Sequence, residues 1–360
     1  MTQYRHAVGL AAMALSVGWT HSAGALTFDE ILTYKGADRQ KVLEEGAAKE
    51  GTVMLYSAMI VDQALRPIAE GFKKRHPNID IQFFRAEAGQ IVMKVNTEVR
   101  ARNLVADVVE GSGLVGAATE TQITAPFYSK EFENLPANYI APNGSWATTR
   151  FRYIAVGYNT KLIPPTEVPK TYDDLLNPKW KGKMAWNASS DASGAMITIT
   201  SLRRAWGEKK AEEYFAKLAK QEVIPLGISN RAVVDRVIQG EYAIGLGISA
   251  HHPVISANKG APTATVMMDP TPALTGAVQV LKGAPHPHAA MLLVDFMLSP
   301  DAGKILQQAE YFPANPKTEP VEILKSIIPR NAGVTETLIA PEMLVTDTAR
   351  SGEILQTIFK

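Results

Sequence analysis

The 360-residue sequence contains no cysteine, which excludes disulfides, thiolate metal sites, a cysteine nucleophile and a lipid-modified cysteine. It also lacks a net charge of one sign, because 37 Lys and Arg stand against 36 Asp and Glu. Proteins that bind nucleic acid or anionic membranes usually carry basic stripes, so neither partner is expected. No nucleophile elbow, zinc-protease motif, Walker A loop or EF-hand loop occurs. We therefore expect a globular protein without catalytic activity, with an exported hydrolase using Ser, His and Asp as the enzymatic alternative.

The first 25 residues are typical of a secretory signal peptide. Arg5 and His6 precede an apolar run from Ala7 to Trp19, and Ala23-Gly24-Ala25 matches the A-x-A pattern of signal peptidase sites. An N-terminal membrane anchor or a buried helix is the alternative. Without a cysteine at the cleavage site the mature protein is not a lipoprotein, so we expect it to be soluble in the periplasm. Removing this segment removes one base and no acid, which leaves 36 of each and a formal charge of zero.

The rest of the sequence alternates strand-like apolar runs with helical patterns. Thr52–Tyr56 has strand length, Leu65, Ile68 and Phe72 recur at helical spacing, and Ala106–Val109 is the next strand candidate. This order predicts mainly parallel sheets with helices on their faces. We expect a signal peptide over 1–25, a first lobe over 26–152, a second over 153–269, a return to the first over 270–315, and a C-terminal helical segment over 316–360 without assigned placement.

Two loops rich in small residues precede predicted helices. Gly111–Gly116 matches G-x-G-x-x-G after a predicted strand, where either a nucleotide or a plain strand-to-helix turn fits. Ser189–Ala195 precedes a helix that carries Met196 and Ile199. Backbone N–H groups at helix starts favour small anions, whereas capping by Ser190 or Ser193 is the structural alternative.

Paired histidines and arginines are the remaining candidates for ligand contacts. His251-His252 follows the predicted strand Ala243–Ile248 and could bind a metal, donate to an anion or be structural. Neighbours on an extended chain point to opposite sides, which disfavours joint ligation of one ion. Arg150 and Arg152 precede the strand predicted over Tyr153–Tyr158 and could present two guanidinium groups on one face, or line a solvated edge.

The His286-Pro287-His288 segment opens a predicted helix. We expect both of its histidines at the exposed surface.

Several segments together resemble the type II periplasmic solute-binding proteins of ABC importers, in the branch that contains the ferric-ion-binding proteins. The most specific is Asp174–Lys183, D-L-L-N-P-K-W-K-G-K. The others are Leu55-Tyr56-Ser57, Phe72–Pro77, Ala106–Val109, Gly157–Thr160, Ser193-Gly194-Ala195, Gly240-Glu241 and Tyr311–Pro316. The resemblance implies an α/β fold of two lobes, each a mainly parallel sheet flanked by helices, with hinge strands between them and the ligand in the cleft. It also implies a monomer that delivers its solute to an inner-membrane ABC permease.

The resemblance also implies roles for single residues. Ferric-binding members hold a synergistic anion with a Ser-Gly-Ala loop, an Asn and an Arg, and these positions match Ser193-Gly194-Ala195, Asn230 and Arg152. Their iron ligands do not match. The first-strand loop, Ser57–Ile60, has no His, the Glu position falls near Ser112, and His251-His252 replaces the tyrosine pair.

Ferric ion prefers phenolate and carboxylate oxygen to neutral imidazole, so these departures favour direct binding of a carboxylate, phosphate or phosphonate without a cofactor. The alternative is Fe³⁺ or another transition ion held by His251 and His252 with a synergistic anion. The predicted ligand-binding residues are Ser57, Ser112, Gly113, Arg152, Ser193, Gly194, Ala195, Asn230, Ser249, His251 and His252.

Overall fold

A computed structural model describes residues 26–86, 88–112, 123–188 and 193–358 of the chain. The predicted signal peptide and Gly113 lie outside these residues, as do Ser189 and Ser190. Within them, no helix combines the length and the apolar character needed to cross a membrane. The α-helices are α1 (Phe28–Thr33), α2 (Arg39–Glu50), α3 (Arg66–Arg75), α4 (Ala88–Arg100), α5 (Gly194–Trp206), α6 (Glu208–Ala219), α7 (Asn230–Gln239), α8 (His251–Asn258), α9 (Pro287–Leu298), α10 (Pro300–Gln308), α11 (Pro329–Ala332) and α12 (Pro341–Ile358).

Twelve strands are present in the described residues, together with short helical turns. The strands are β1 (Thr52–Ser57), β2 (Asp80–Arg85), β3 (Val108–Gly111), β4 (Thr124–Ala125), β5 (Ala147–Asn159), β6 (Met184–Asn187), β7 (Ile224–Leu226), β8 (Ile244–Ser249), β9 (Thr263–Val266), β10 (Thr271–Leu281), β11 (Phe312–Pro313) and β12 (Glu336–Ile339). The turns are a π-helix over Val61–Leu65 and 3₁₀-helices over Lys130–Asn134, Ala137–Tyr139, Pro165–Glu167, Asp173–Leu176, Pro178–Trp180 and Glu322–Ile327.

The first sheet has the order β2-β1-β3-β10-β5. β1 is parallel to β2 and β3, as the alternating pattern predicts, whereas β10 is antiparallel to β3 and β5. Apolar side chains of β1 and β10, such as Leu55 and Val280, pack with α9, where Leu293 is fully buried. The long β10 therefore adds an antiparallel part that the strand-helix alternation did not predict.

The second sheet has the order β5-β8-β6-β7, with β6 parallel to β7 and β8 and antiparallel pairing between β5 and β8. Trp186 of β6 is buried in its core, with Phe215 of α6 at a ring distance of 6.1 Å. Each sheet thus has its own core.

The thirteen-residue strand β5 belongs to both sheets. Its first half, to Tyr153, pairs with β10, and from Ile154 onward it pairs with β8. A second connection leads from β9 in the second sheet to β10 in the first. Arg150 and Arg152 lie inside β5, so the prediction that they precede the strand was wrong. Both faces of the first half of β5 are covered by other elements, so the strand continues through charged residues. A search for apolar runs does not recognise such residues as part of a strand, and the predicted strand was therefore too short.

The C-terminal segment is not purely helical. β12 pairs in parallel with β10 of the first sheet, and the following α12 packs on α5 beside the second sheet. There the Ser351 and Thr200 hydroxyls lie 2.8 Å apart. The last elements of the chain therefore contact both sheets.

The expectation that His286 and His288 are exposed surface residues was wrong. His286 Nδ1 lies 2.9 Å from Asp107, and His288 Nδ1 lies 2.6 Å from Glu50. The two carboxylates also accept backbone N–H groups from the first turn of α9. Both histidines are half-buried because they fasten this helix start to the first sheet and to α2.

Candidate functional site

A buried carboxylate lies where β3 ends. Glu110 is fully buried and accepts three hydrogen bonds, from Ser57 Oγ at 2.7 Å, Thr149 Oγ1 at 3.2 Å and Arg150 Nε at 3.1 Å. The hydroxyl of Ser57 donates its hydrogen bond to Glu110, and its oxygen accepts the backbone N–H of Met59. The sequence prediction missed Glu110, although an acid directly after the buried run Ala106–Val109 was the available signal.

Arg150 is held between this carboxylate and an aromatic ring. Its guanidinium carbon lies 5.0 Å from the centre of the Tyr311 ring, a cation–π distance. Burial alone would lower the pKa of Arg150, but the charges of Glu110 and Tyr311 and the hydrogen bond to Glu110 outweigh it and raise the pKa. The charge of Arg150 is therefore compensated from within the protein.

Arg152, two residues along β5, has different surroundings. Burial, and then the nearby charge of Arg150, lower its pKa to about 10. Arg150 and Arg152 occupy alternate positions of β5 and so present two guanidinium groups on one face of the strand. Guanidinium groups are well suited to bind an anion.

His251 and His252 form the first turn of α8, so the expectation of an extended pair pointing to opposite sides was wrong. Their ring centres lie 4.4 Å apart, and the ring planes are inclined at 68°. Both residues are in the first turn of a helix, where neighbouring side chains do not alternate between opposite sides as they do on a strand. Pro253 at the third helical position is the signal that could have indicated this helix start. The ring of His251 also lies 6.0 Å from that of Phe312.

Both imidazoles are neutral at neutral pH. Burial, followed by His252, Arg152 and Arg150, lowers the pKa of His251 well below its ordinary value. Burial, followed by Arg231 and Arg152, lowers the pKa of His252 to about 4. The Nδ1 atoms of both rings are buried without a hydrogen-bond partner in the described part of the chain.

Asn230 begins α7, whose cap is the preceding Ser229. Its Oδ1 is likewise buried without a hydrogen-bond partner among the described residues. The next residue, Arg231, is close enough to His252 to act on its pKa, and it bonds to Ser256 at 2.8 Å and Asp235 at 2.6 Å. Arg231 thereby fastens the start of α7 to α8 beside the histidine pair.

The Ser193–Ala195 segment starts α5. Ser193 Oγ accepts the N–H of Met196 as a helix cap, which is the structural role that the sequence left open, and Gly194 N donates to Asn187 Oδ1 at 2.8 Å. A Cβ on Gly194 would lie 1.5 Å from the carbonyl oxygen of Gly247, so only glycine fits. Ala195 is fully buried. This close approach fixes the helix start against β8.

The remaining predicted residues lie at strand ends. Ser112 follows β3 and is half-buried, and Ser249 is the buried last residue of β8, opposite Ile154 on β5. Gly113 lies outside the described residues. The structure brings Arg152, His251 and His252 together, and Arg231, the residue after Asn230, is near His252. In a second group, Ser57 and Arg150 both bond to Glu110.

Among the described residues, no group of three or more His, Cys, Asp or Glu side chains is placed to hold a metal ion. No tyrosine immediately adjoins the histidine pair in sequence.

Comparison with known proteins identifies the family. Residues 104–329, which are 226 of the 360, match the family described as bacterial extracellular solute-binding protein. Iron uptake protein A1 of Synechocystis is 26% identical over 251 residues, covering 65% of this chain and 68% of that protein. The putative 2-aminoethylphosphonate-binding periplasmic protein of Salmonella typhi is 24% identical over 237 residues, covering 62% and 66%.

A solved structure with the same fold is that of FutA from Trichodesmium in complex with iron and citrate. Its TM-score is 0.72 at 21% identity, with 86% of this chain and 99% of that chain covered. This likeness confirms the predicted two-lobed α/β periplasmic binding protein fold. The family binds solutes without transforming them, so the expectation of a non-enzymatic protein is confirmed and the hydrolase alternative is excluded. The chain belongs to the bacterial extracellular solute-binding proteins and is the solute receptor of an ABC importer.

Proposed function

We propose that this receptor is periplasmic and captures a small anionic solute, a carboxylate, phosphate or phosphonate, directly between its two lobes. The observation that carries the proposal is the pair of buried, unbonded Nδ1 atoms of His251 and His252, whose pKa values Arg152 helps to lower. The Oδ1 of Asn230, at the start of α7, is likewise buried and unbonded. Leaving a buried polar atom without a partner costs about 1–3 kcal/mol, so a ligand that supplied the missing partners would be favoured.

The charges favour an anion over a neutral solute. Arg150 and Arg152 lie on one face of β5, and Arg152 acts on the pKa of both histidines. A carboxylate or phosphate oxygen next to Arg152 would form charge-assisted hydrogen bonds, and a neutral imidazole can donate through whichever ring nitrogen carries the proton. We expect micromolar or tighter binding, on the order of −8 kcal/mol.

The strand layout supports capture by lobe closure. Ser57 and Ser112 lie where β1 and β3 of the first sheet end, and Ser249, His251 and His252 lie at or just after the end of β8 in the second sheet. Ligands of open α/β sheets bind outside the carboxyl ends of strands. Since β5 joins both sheets, we propose lobe boundaries near 153 and 270, with bending there enclosing the solute for delivery to the permease.

The relatives favour a phosphorus-containing or carboxylate ligand. One is named as binding 2-aminoethylphosphonate, and the FutA structure holds citrate beside its iron. On the resemblance of the sequence to ferric-binding proteins, His251-His252 stands where those proteins have two tyrosines. We propose that this replacement changes the cargo from a metal-anion pair to the anion itself.

Metal transport remains the second candidate, because an iron uptake protein and an iron-loaded structure are among the relatives. In this case His251, His252 and a synergistic anion would hold Fe³⁺ or another transition ion. Metal analysis of protein purified without chelators separates the candidates, since stoichiometric metal would support this one and contradict direct anion capture.

Native mass spectrometry of freshly purified protein would identify a retained solute and any metal together. The identified solute should then raise the melting temperature of the wild type and leave that of Arg152→Ala unchanged. Arg203→Ala is the control, because Arg203 on α5 pairs with Glu208 at the start of α6 and bonds to Ser351 on α12, away from the histidine pair. An equal shift in the wild type and in Arg152→Ala would remove Arg152 from the site.

A further inference from the structure

A cavity of about 140 Å³ lies against β5 on the side opposite Arg150 and Arg152. Phe151 and Tyr153 line it, and alternation along a strand places them on the other face from the two arginines. Its lining includes Tyr139, Phe151, Tyr153, Phe312, Glu319 and Arg330. The cavity is therefore separate from the proposed anion site, although both share β5.

Aromatic rings form one wall of this cavity. Tyr139 and Phe151 have ring centres 4.8 Å apart at 67°, and Tyr153 and Phe312 have ring centres 4.9 Å apart at 67°. A ligand seated in the angle between two such rings meets the face of at least one of them. Ring faces carry negative partial charge and attract cations within about 6 Å of the ring centre.

The phenol of a buried tyrosine on this wall has no hydrogen-bond partner among the described residues. Tyr153 is 5% exposed, and neither its phenol nor that of Tyr139 forms a hydrogen bond in the described part of the chain. The other deeply buried phenols behave differently: Tyr56 bonds to Glu98, Tyr172 to the carbonyl of Pro270 and Tyr214 to that of Tyr172. A phenol oxygen in the cavity wall without a protein partner can turn its partial negative charge toward a cation or bond to water.

The potential at these phenols is negative. Burial, followed by the charge of Glu336, raises the pKa of Tyr139 to about 12. The same two causes, in the same order, raise the pKa of Tyr153. For both phenols the effect of Glu336 is larger than the opposing effect of Arg330. Arg330 is the one basic residue in the lining and is already paired with Glu319 at 2.7 Å. The wall therefore favours a positive ligand.

We propose that this cavity beside β5 is a second small-molecule site, which takes a small organic cation of the methylated ammonium class. The aromatic wall binds the cation by its ring faces, and Glu336 of β12, which acts on Tyr139 and Tyr153 from outside the lining, adds negative potential. Phe312 links the site to the cleft, because its ring contacts both Tyr153 and His251. Occupancy would stiffen β5 where it passes between the sheets.

Saturation-transfer NMR of the full-length mature protein with tetramethylammonium tests the proposal. Its neutral isostere tert-butanol and the anion pivalate serve as comparison probes at equal ionic strength. We expect tetramethylammonium to bind about tenfold more tightly than tert-butanol, as a desolvated cation–π contact provides. Equal binding of the two, tighter binding of pivalate, or a cavity that holds water only would overturn the proposal.

Variants locate the binding. Tyr139→Leu should weaken tetramethylammonium binding by about fivefold or more, and Phe312→Leu is the second variant if the first fails to fold. Tyr34→Leu is the matched control, since that phenol is bonded to Asp38 at 2.8 Å near the N-terminus of the described chain. Arg152→Ala should leave this binding unchanged. If Arg152→Ala abolished it while the wall variants did not, the cation would be binding in the cleft and the second site would not exist.

Discussion

At the scale of single residues, Glu110 determines what Arg150 can do. The carboxylate is fully buried and bonded to the guanidinium at 3.1 Å, so each charge is tolerated only because of the other. Arg152 lies two positions away on the same face of β5, and burial and the charge of Arg150 lower its pKa to about 10. Two arginines that look equivalent in the sequence therefore have different roles, one structural and one proposed for the ligand.

Replacing Glu110 by Gln should lower the free energy of unfolding by about 3–5 kcal/mol, because it leaves Arg150 buried without its counter-charge. Ser57→Ala should cost less, about 1.5–3 kcal/mol, since it removes one hydrogen bond to a charged group. Urea unfolding of the ligand-free proteins measures both values. A Glu110→Gln variant as stable as the wild type would show that the Arg150 charge is compensated elsewhere.

The histidine pair predicts a pH dependence of stability. In the unfolded chain these imidazoles bind protons near their ordinary pKa of 6.5, whereas folded His252 does so only near pH 4 and folded His251 well below 6.5. Stability from the neutral rings is thus present above pH 6.5 and lost as the pH falls toward 4.

Urea unfolding of the ligand-free protein between pH 7.5 and 4.5 checks this loss. The free energy of unfolding should change less with pH in a His251→Asn, His252→Asn double variant, because asparagine does not titrate. His288→Asn is the control, since His288 is paired with Glu50 outside the site. Identical slopes in the wild type and the double variant would contradict the expected burial of neutral imidazoles.

At the scale of secondary structure, the helix starts hold the site. Ser193 caps α5 and Ser229 caps α7, while α8 begins with the histidine pair itself. Packing also requires a small residue at one of these helix starts. A side chain at Gly194 would collide with the backbone of Gly247. A predicted anion loop therefore serves first to fix a helix against a strand.

The contact of α12 with α5 provides an energetic test at this scale. Ser351 is fully buried, lies 2.8 Å from the Thr200 hydroxyl and accepts from Arg203 at 3.0 Å. Ser351→Ala should destabilise the protein by about 1–3 kcal/mol because Thr200 and Arg203 lose their shared partner. Thr346→Ala, on the exposed side of the same helix, should change stability by less than about 0.5 kcal/mol. Comparable losses in both variants would show that α12 does not depend on this contact.

Elements with a simple apolar period could be predicted from the sequence, and others could not. β1 and α9 were predicted because one run or one periodic face is buried against a single core. The first half of β5 was missed because Arg150 and Arg152 interrupt its apolar pattern, and the burial of Arg150 depends on Glu110 from β3. β12 was missed because its four residues depend on pairing with β10. Among site residues, Arg152 and the histidine pair were proposed from the sequence, but the helical geometry of the pair was not.

At the scale of the whole molecule, the two sheets share β5 and are also connected through β9–β10 and through the C-terminal β12–α12 segment. Lobe closure must be compatible with all three connections. The formal charge of the sequence is only +1, so its net charge hardly attracts an anion over long distances. On the proposed function, the local groups around Arg152 must do so.

The absence of cysteine makes the closure directly measurable. Engineered cysteines replacing Lys41 on α2 and Lys217 on α6 would carry spin labels without background labelling. We expect the identified solute to convert a broad interlabel distance distribution into a narrower one, because closure selects one arrangement of the lobes. The same labels on Arg152→Ala should show no change with solute. A distribution unaffected by solute in the otherwise wild-type protein would contradict capture by closure.

The position of Arg152 on β5 has a consequence for the order of events during capture. The residue pairs with Leu274 in the first sheet, only two positions before β5 joins the second sheet at Ile154. It thus lies at the pivot of the proposed motion, where displacement is smallest. On the proposed function, an arriving anion meets its principal charge in the open state, already in its final place, and groups farther from the pivot reach the anion only as the lobes close. Capture is then a two-stage process in which charge selects the solute first and shape tests it second.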